Sequence, residues 1–475
     1  MKKILFVVIA AFLNISLLAH PWKPNHYVII DSDGGTDDMK AISMLLASPD
    51  VRVLAIIASP GALSAGEAFI KIRSMLDSYW HEGIPVGINR NSPFKSPGFP
   101  IALNYKWGDE SMTDPSKATD YIQVITDIIK NEKTKISFIC LGGLSSAAGA
   151  MKEIPEFGSA VKEILWSCDG LKDKKGFNYN IDKSSASYVL SGKIPVKAIH
   201  STGDAKFYDN DLLARTDSLN SLYAKKVYEF QNSPETKEHE FSFYLTDELV
   251  PLFLHFPDAF SQETSGNNSD CSPVNRTVLR NGFLKILDGE TVMKNQVIKN
   301  LPTDPSFYFP DVEPYVTDII NEYGENEWAA GVLANELHRH LGVFAIIGVK
   351  MGIRAREYFD TGVDEFRATS WAGSEPPMSC MNDGLQVSTG ATPGHGLLTV
   401  INDSITKPVA EFTYMNHRIR LTLQPDIAAK ISSELKEINF VYGLDSNIYW
   451  ELVRKNTLRY WKELDRHKIF IIERL

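Results

Sequence analysis

Hydrophobic and polar positions follow two different regimes along this chain. From His26 to about Phe260, short runs rich in Val and Ile alternate with segments whose apolar residues recur at helical spacing. Residues 27–31 predict a strand, 37–46 a helix, 51–58 a strand and 65–80 a helix, with further strands over 135–141 and 195–200. A strand, helix, strand rhythm of this kind predicts an α/β domain: an open, mostly parallel sheet flanked by helices, with ligands bound beyond the carboxyl ends of the strands. After Phe260 the pattern changes. Residues 261–276 are polar and turn-rich, and Pro302, Pro305, Pro310 and Pro314 crowd a stretch that few helices or central strands would tolerate. We expect domains over 25–300 and 327–475 with a linker over 301–326. The second domain reads as a smaller α+β unit: a long helical pattern over 327–359, a Gly/Ser/Thr-rich run, a strand-like segment over 408–423 and a charged end.

Length agrees with two domains, since 475 residues with 44% hydrophobic and 23% charged positions bury a substantial core. The net charge of −10 argues against a polyanionic partner, so no nucleic acid is expected. Four cysteines, Cys140, Cys168, Cys271 and Cys380, are too few and too scattered for a disulfide framework or a C-x-x-C metal site. At the start, Lys2 and Lys3 precede an apolar run from Ile4 to Ala19, shorter than the ~20 residues that a spanning helix needs. Residues 1–19 therefore read as a secretory signal, and the protein as exported, periplasmic or secreted, with no membrane span once the signal is removed. Monomer and homo-oligomer both remain open.

The chemistry is concentrated in a few places. Asp31, Asp33, Asp37 and Asp38 fall within eight residues, at the end of a buried strand and the start of a helix. Helix capping accounts for Asp37 and Asp38, but four carboxylates around a Gly-Gly turn repel one another unless a cation joins them. Oxygen donors favour Ca²⁺ or Mg²⁺ over zinc.

The run Asp31-Ser-Asp33-Gly-Gly35-Thr-Asp37-Asp38 resembles the D-x-D-x-G-x-D-D signature of the nucleoside hydrolase family. Three later stretches are similar to that family in the same order: residues 140–145 to its T-G-P-L-T strand end, 176–182 to E-F-N-x-x-x-D, and Leu245-Thr246-Asp247-Glu248 with 256–260 to M-H-D-P and I-D-P-D-x-F. The resemblance implies a Ca²⁺ held by Asp31, Asp38, Asp247 and the main-chain carbonyl of Leu141. It also implies that Asp31 or a neighbouring carboxylate deprotonates the attacking water, that Asp37 holds a ribose hydroxyl, and that Asn178 holds the ribose. The implied activity is hydrolysis of the N-glycosidic bond of a ribonucleoside or related riboside, with Asp33 orienting the cluster.

Several positions depart from the family pattern. Ala62 follows Gly61 where an asparagine is usual, Gly176 replaces a ribose-binding glutamate, Thr246 replaces a histidine, and residues 104–109 lack the H-G-x-x-G-L loop. Trp166, Asp169 and Tyr179 lie in segments that could supply a leaving-group acid. These gaps leave room for a non-catalytic ribosyl-ligand sensor, or for a protein whose main activity resides in its second domain.

That second domain resembles the FmdE protein of formylmethanofuran dehydrogenase. His338, His340, Leu341, Gly348, Met351 and Gly352 match its H-G-H-L pattern, and Cys380, Asp383, Gln386, Thr389, Gly390, Thr392, Gly394 and Gly396 match its C-x-x-D-G run. Arg339 and Val343 depart from the pattern's glycine and proline. The resemblance implies a transition-metal site from His340 and Cys380, with His338 or His395, of a kind that suits Zn²⁺. Two residues apart on a regular helix, His338 and His340 would face different ways, so a shared ion requires a break there.

Overall fold

The computed structural model describes residues 24–92, 94–172, 175–201, 206–239, 243–291, 297–298, 300–403 and 405–475. The expected signal over 1–19 lies outside the described residues. The chain divides into two compact units, Pro24–Val297 with Glu357–Asp360, and Ile298–Arg356 with Thr361–Leu475.

In the first unit, β1 (His26–Ser32), β2 (Val51–Ala58), β3 (Val86–Ile88), β4 (Thr119–Asp120), β5 (Ile136–Cys140), β6 (Val161–Ser167) and β7 (Val196–Ile199) pair in parallel. A hairpin of β8 (Phe260–Ser265) and β9 (Asn268–Pro273) completes a 9-stranded sheet in the order β4-β3-β2-β1-β5-β6-β7-β9-β8. β2 is buried at every position and β1 at all but its first, which is why both read as continuous apolar runs rather than alternating ones. Helices α1 (Thr36–Ala47), α2 (Ala65–Ser78), α3 (Tyr121–Asn131) and α4 (Ser145–Glu153) make the first crossovers. The strand order reverses between β1 and β5: the chain runs outward from β1 to β4, then returns to the other side of β1. A switch point of this kind opens a crevice beyond the strand ends, and Asp31 and Leu141 stand at it, with Asp31 in register with Cys140.

The polar stretch after Phe260 is thus not a loop, and β9 runs parallel to β7. Only Phe260 and Cys271 of the two hairpin strands are buried, so this exposed edge carries too few apolar residues to read as strand.

The second unit holds a 5-stranded sheet of β10 (Arg367–Ser370), β11 (Leu398–Val400), β12 (Val409–Tyr414), β13 (His417–Leu423) and β14 (Phe470–Arg474). Its order is β11-β10-β12-β13-β14, antiparallel apart from the β10–β11 pair. The segment expected as a linker contains helix Glu313–Tyr323, whose Val316 and Ile319 are fully buried in a cluster with Trp328, Leu458 and Trp461. Its prolines mislead because Pro305 and Pro314 stand in the first turns of their helices, where no N–H partner is lost. The predicted helix over 327–359 is two, Glu325–His338 and Val343–Phe359, separated at Arg339, whose φ of 66° is left-handed. The strand-like segment over 408–423 is the β12–β13 hairpin, turning at Met415. No helix among the described residues is long and apolar enough to cross a membrane.

Candidate active site

β1 delivers Asp31 to the end of the sheet with its carboxylate fully buried. Oδ1 accepts a hydrogen bond from Ser146 Oγ at 3.0 Å, whereas Oδ2 is buried with no hydrogen-bond partner. Burial pushes the Asp31 carboxyl up to about 7, partly offset by the hydroxyls of Ser59 and Ser146. Asp33 turns toward the loop after β2, where its Oδ1 accepts from the Gly35 N–H at 3.2 Å. A Cβ on Gly61 would lie 2.0 Å from Asp33 Oδ2, so only glycine leaves room for this carboxylate. Burial raises the Asp33 carboxyl to about 6, and the backbone N–H of Ala62 works against the rise. This contact gives the Gly61-Ala62 pair a backbone role in holding Asp33.

Asp37 and Asp38 open α1. Asp38 Oδ1 accepts from Ser32 Oγ at 2.7 Å and from the Asp33 N–H at 3.0 Å. Asp247 arrives on the segment preceding helix Leu249–His255, and one oxygen from each of Asp37, Asp38 and Asp247 lies within 4.8 Å of the others. Burial, then the charges of Asp33, Asp247 and Asp37, push Asp38 well above the ordinary carboxylate range. Asp247 is pushed the same way by burial and by Asp37, although hydrogen bonds with Asp38 and Ser167 oppose this. Three converging carboxylates, two of them buried with raised proton affinity, form a site that a hard cation would satisfy. Asp31 is not a member of this tight triad, but its unpartnered Oδ2 is the other buried oxygen of the cluster in need of a partner.

Leu141 donates its N–H to the Asp31 carbonyl at 2.8 Å. Its own carbonyl accepts from Asn178 Nδ2 at 2.6 Å, and the same amide donates to the Ser167 carbonyl at 3.0 Å. Asn178 therefore ties the ends of β5 and β6 together, while its Oδ1 is not used in either bond. One lone pair of the Leu141 carbonyl is engaged and one is left, as an ion ligand requires. Trp166 is 1% exposed, and its indole N–H donates to the Gly142 carbonyl at 3.0 Å, so its place is structural. Asp169 stands where a side chain on residue 176 would go, since a Cβ on Gly176 would meet its Oδ2 at 1.7 Å. In the region that lacks the expected loop, Trp107 stacks on Phe230, and the Lys71 ammonium binds the Leu103 and Tyr105 carbonyls; this is packing.

Sequence reasoning missed Lys40 and Glu248, a buried ion pair next to the triad. The available signals were a lysine on an otherwise apolar helix face and a glutamate immediately after Asp247.

In the second unit, the left-handed Arg339 supplies the break that His338 and His340 require. Their ring centroids are 4.1 Å apart, and a Cβ on Gly342 would lie 3.3 Å from Nε2 of His338 and 3.6 Å from Nε2 of His340. His338 Nδ1 is 2.7 Å from Asp383 Oδ2, and its buried Nε2 has no hydrogen-bond partner. Burial, then the Asp383 charge, pushes the Cys380 thiol up to about 11. His395 is placed apart, with Nδ1 3.1 Å from Asp364 Oδ1 and 3.0 Å from the Gly390 carbonyl. The second unit thus gathers His338, His340 and Asp383, with Cys380 within electrostatic reach of Asp383. Among the described residues, only Asp37, Asp38 and Asp247 bring three such donors within 4.8 Å.

The pattern of the family described as inosine-uridine preferring nucleoside hydrolase matches residues 28–300, more than half of the chain. The chain belongs to the nucleoside hydrolase family. A second pattern, described as FmdE, molybdenum formylmethanofuran dehydrogenase operon, matches residues 337–441. Among curated relatives, a probable uridine nucleosidase 2 of Oryza sativa subsp. japonica is 26% identical over 208 residues, 40% of this chain and 61% of that protein. Uridine nucleosidase 1 of Arabidopsis thaliana is 25% identical over 251 residues, 49% of this chain and 72% of that protein. The chain spans about three fifths of the length of the first of these. Among solved structures, a purine-preferring ribonucleoside hydrolase from Gardnerella vaginalis aligns with TM-score 0.46 and 16% identity, over 56% of this chain and 99% of that one. Within the nucleoside hydrolase unit, the departures at Gly176 and Thr246 leave the carboxylate cluster intact and alter its surroundings.

Proposed function

We propose that the nucleoside hydrolase unit cleaves the N-glycosidic bond of a ribonucleoside or related riboside and that it uses Ca²⁺. The observation that carries this reading is the convergence of the Asp37, Asp38 and Asp247 carboxylates beside the unpartnered Oδ2 of Asp31. Asp38, Asp247, Asp31 and the Leu141 carbonyl are the residues that would hold the ion. When bound, Ca²⁺ supplies Lewis-acid polarisation and neutralises the buried carboxylates. The chain's own residues do the rest. Asp31 Oδ2 takes the proton of the attacking water, Asp37 accepts from a ribose hydroxyl, and Asn178 contacts the sugar through the carbonyl of its amide. As the C–N bond breaks, the carboxylates face the positive charge that grows on the ribosyl ring and stabilise it. The Lys2-Lys3 pair and the apolar run after it support action after export.

The test is sugar release. Incubated with a panel of purine and pyrimidine ribosides and Ca²⁺, the protein will liberate ribose, and a chelator will abolish the release. Binding with no released ribose for any riboside would favour the sensor reading instead.

A second metal site in the second unit is favoured by one observation, the buried, unpartnered Nε2 of His338 with Asp383 on its other nitrogen, the arrangement of a metal-binding imidazole held by a carboxylate. We propose that His338, His340 and Cys380 bind Zn²⁺. Zinc measured on purified protein will be near-stoichiometric and will be lost in Cys380→Ser and His338→Ala; zinc retained in both variants would remove these residues from the site.

A further inference from the structure

Lys40 and Glu248 are among the most deeply buried charged residues of the first unit, at 2% and 0% exposure, and they are in direct contact. Glu248 has further partners: Tyr208 donates its hydroxyl to Oε1 at 2.7 Å, and the Thr246 N–H donates to Oε2 at 3.1 Å. The Lys40 ammonium also lies 4.7 Å from the centre of the Tyr208 ring. Removing two charges from water is costly, and a well-packed apolar pair commonly serves stability as well or better. A buried pair with this many partners therefore calls for an explanation other than stability.

Position supplies one. Lys40 is the second residue after Asp38 on α1, and Glu248 directly follows Asp247. The pair therefore joins the helix that carries two members of the carboxylate triad to the segment that carries the third. Where the nucleoside hydrolase pattern has a proline after the late aspartate, this chain has Glu248, so the tie belongs to this chain. Asp247 otherwise reaches Asp38 only through a contact between two carboxyl groups with raised proton affinity, which repel each other once both are ionised.

We propose that Lys40 and Glu248 are positioning residues that hold Asp247 within ligand distance of Asp37 and Asp38 and so set the cation affinity of the triad. This rests on the Ca²⁺ reading above. Neither residue touches the substrate in this proposal; both act through Asp247. Outer partners of this sort typically change metal affinity by about 10- to 100-fold.

The test is a Ca²⁺ titration by calorimetry on the full chain, alongside a thermal melt of the chelated protein. The wild type is expected to bind Ca²⁺, and the apolar pair Lys40→Met/Glu248→Leu to bind it about tenfold or more weakly while melting at or above the wild-type temperature. Its kcat will recover at saturating Ca²⁺, and Lys40→Arg will restore much of the affinity. Should the double variant not fold, Glu248→Gln keeps the side chain's shape and is expected to weaken Ca²⁺ in the same direction. Unchanged Ca²⁺ affinity in a folded variant would overturn the positioning role. A wild type that binds no Ca²⁺ would instead overturn the Ca²⁺ reading, so the two failures are distinguishable.

Discussion

Asp31→Asn will lower kcat for riboside hydrolysis by about 10³-fold, within the range that a positioned general base contributes, with little change in KM. The carboxylate is fully buried, its Oδ1 is fixed by Ser146, and its Oδ2 is left without a partner, which is the geometry of a base waiting for a water proton. Asparagine keeps the shape and an oxygen that Ser146 can donate to, but it cannot take a proton. The variant will fold, and without metal at pH 7 it will be more stable than the wild type, because a buried carboxylate has been removed from a cluster of like charges. Steady-state kinetics with a melting curve on the same preparation checks both halves. A variant with unimpaired kcat would assign the base to another carboxylate.

The second large effect links pH, Ca²⁺ and stability. Asp31 is raised to about 7 and Asp33 to about 6, each by burial first, against about 3.9 in an unfolded chain. Between those values the folded protein holds more protons than the unfolded one, so its stability falls as pH rises. Asp31 alone corresponds to about 4 kcal/mol across pH 4 to 7, at roughly 1.4 kcal/mol per pKa unit. Asp182 has the opposite sign. Burial pushes it upward, but hydrogen bonds from Ser185 and Ser184 outweigh this and leave it lowered, so its contribution is lost only on the acid side. The chelated protein will therefore melt at highest temperature near pH 5 and progressively lower toward pH 7. Ca²⁺ at a hundred times its Kd will restore about 2.7 kcal/mol at pH 7 and will have little effect near pH 4, where protons occupy the same oxygens. A chelated melting temperature that is flat from pH 5 to 7, with no gain from Ca²⁺, would rule out a charged cluster of this kind.

What could be read from the chain followed how local each feature is. The bounds of β2 and the carboxylate octapeptide depend on neighbours a few positions away, and the pattern of residues states them directly. The long helix predicted over 327–359 failed for a related reason: the reversal at residue 339 is made by an arginine held at positive φ by its surroundings, and no glycine marks it. Pro314 read as a breaker, yet it starts a helix whose Val316 and Ile319 are core residues. Features that join distant positions were less visible. Nothing in residue spacing says that Asn178 donates its amide to both the Leu141 and Ser167 carbonyls, that the Asp169 carboxylate fills the space beside Gly176, or that Lys40 finds Glu248. His395 matched a motif by order along the chain, but its ring is held by Asp364 and the Gly390 carbonyl.

The switch point between β1 and β5 has a consequence for how the protein is made. Asp31, Asp33, Asp37 and Asp38 emerge together early in synthesis, but Asp247 follows about two hundred residues later. A growing or partly folded chain therefore carries a dense, unscreened knot of negative charge with no ligand set able to retain an ion. Only after β5, β6 and the Asp247 segment have docked does the full set of oxygens exist. Ion capture then reports completion of the first unit, and because it favours only the finished state it works as a thermodynamic latch on the last long-range closure.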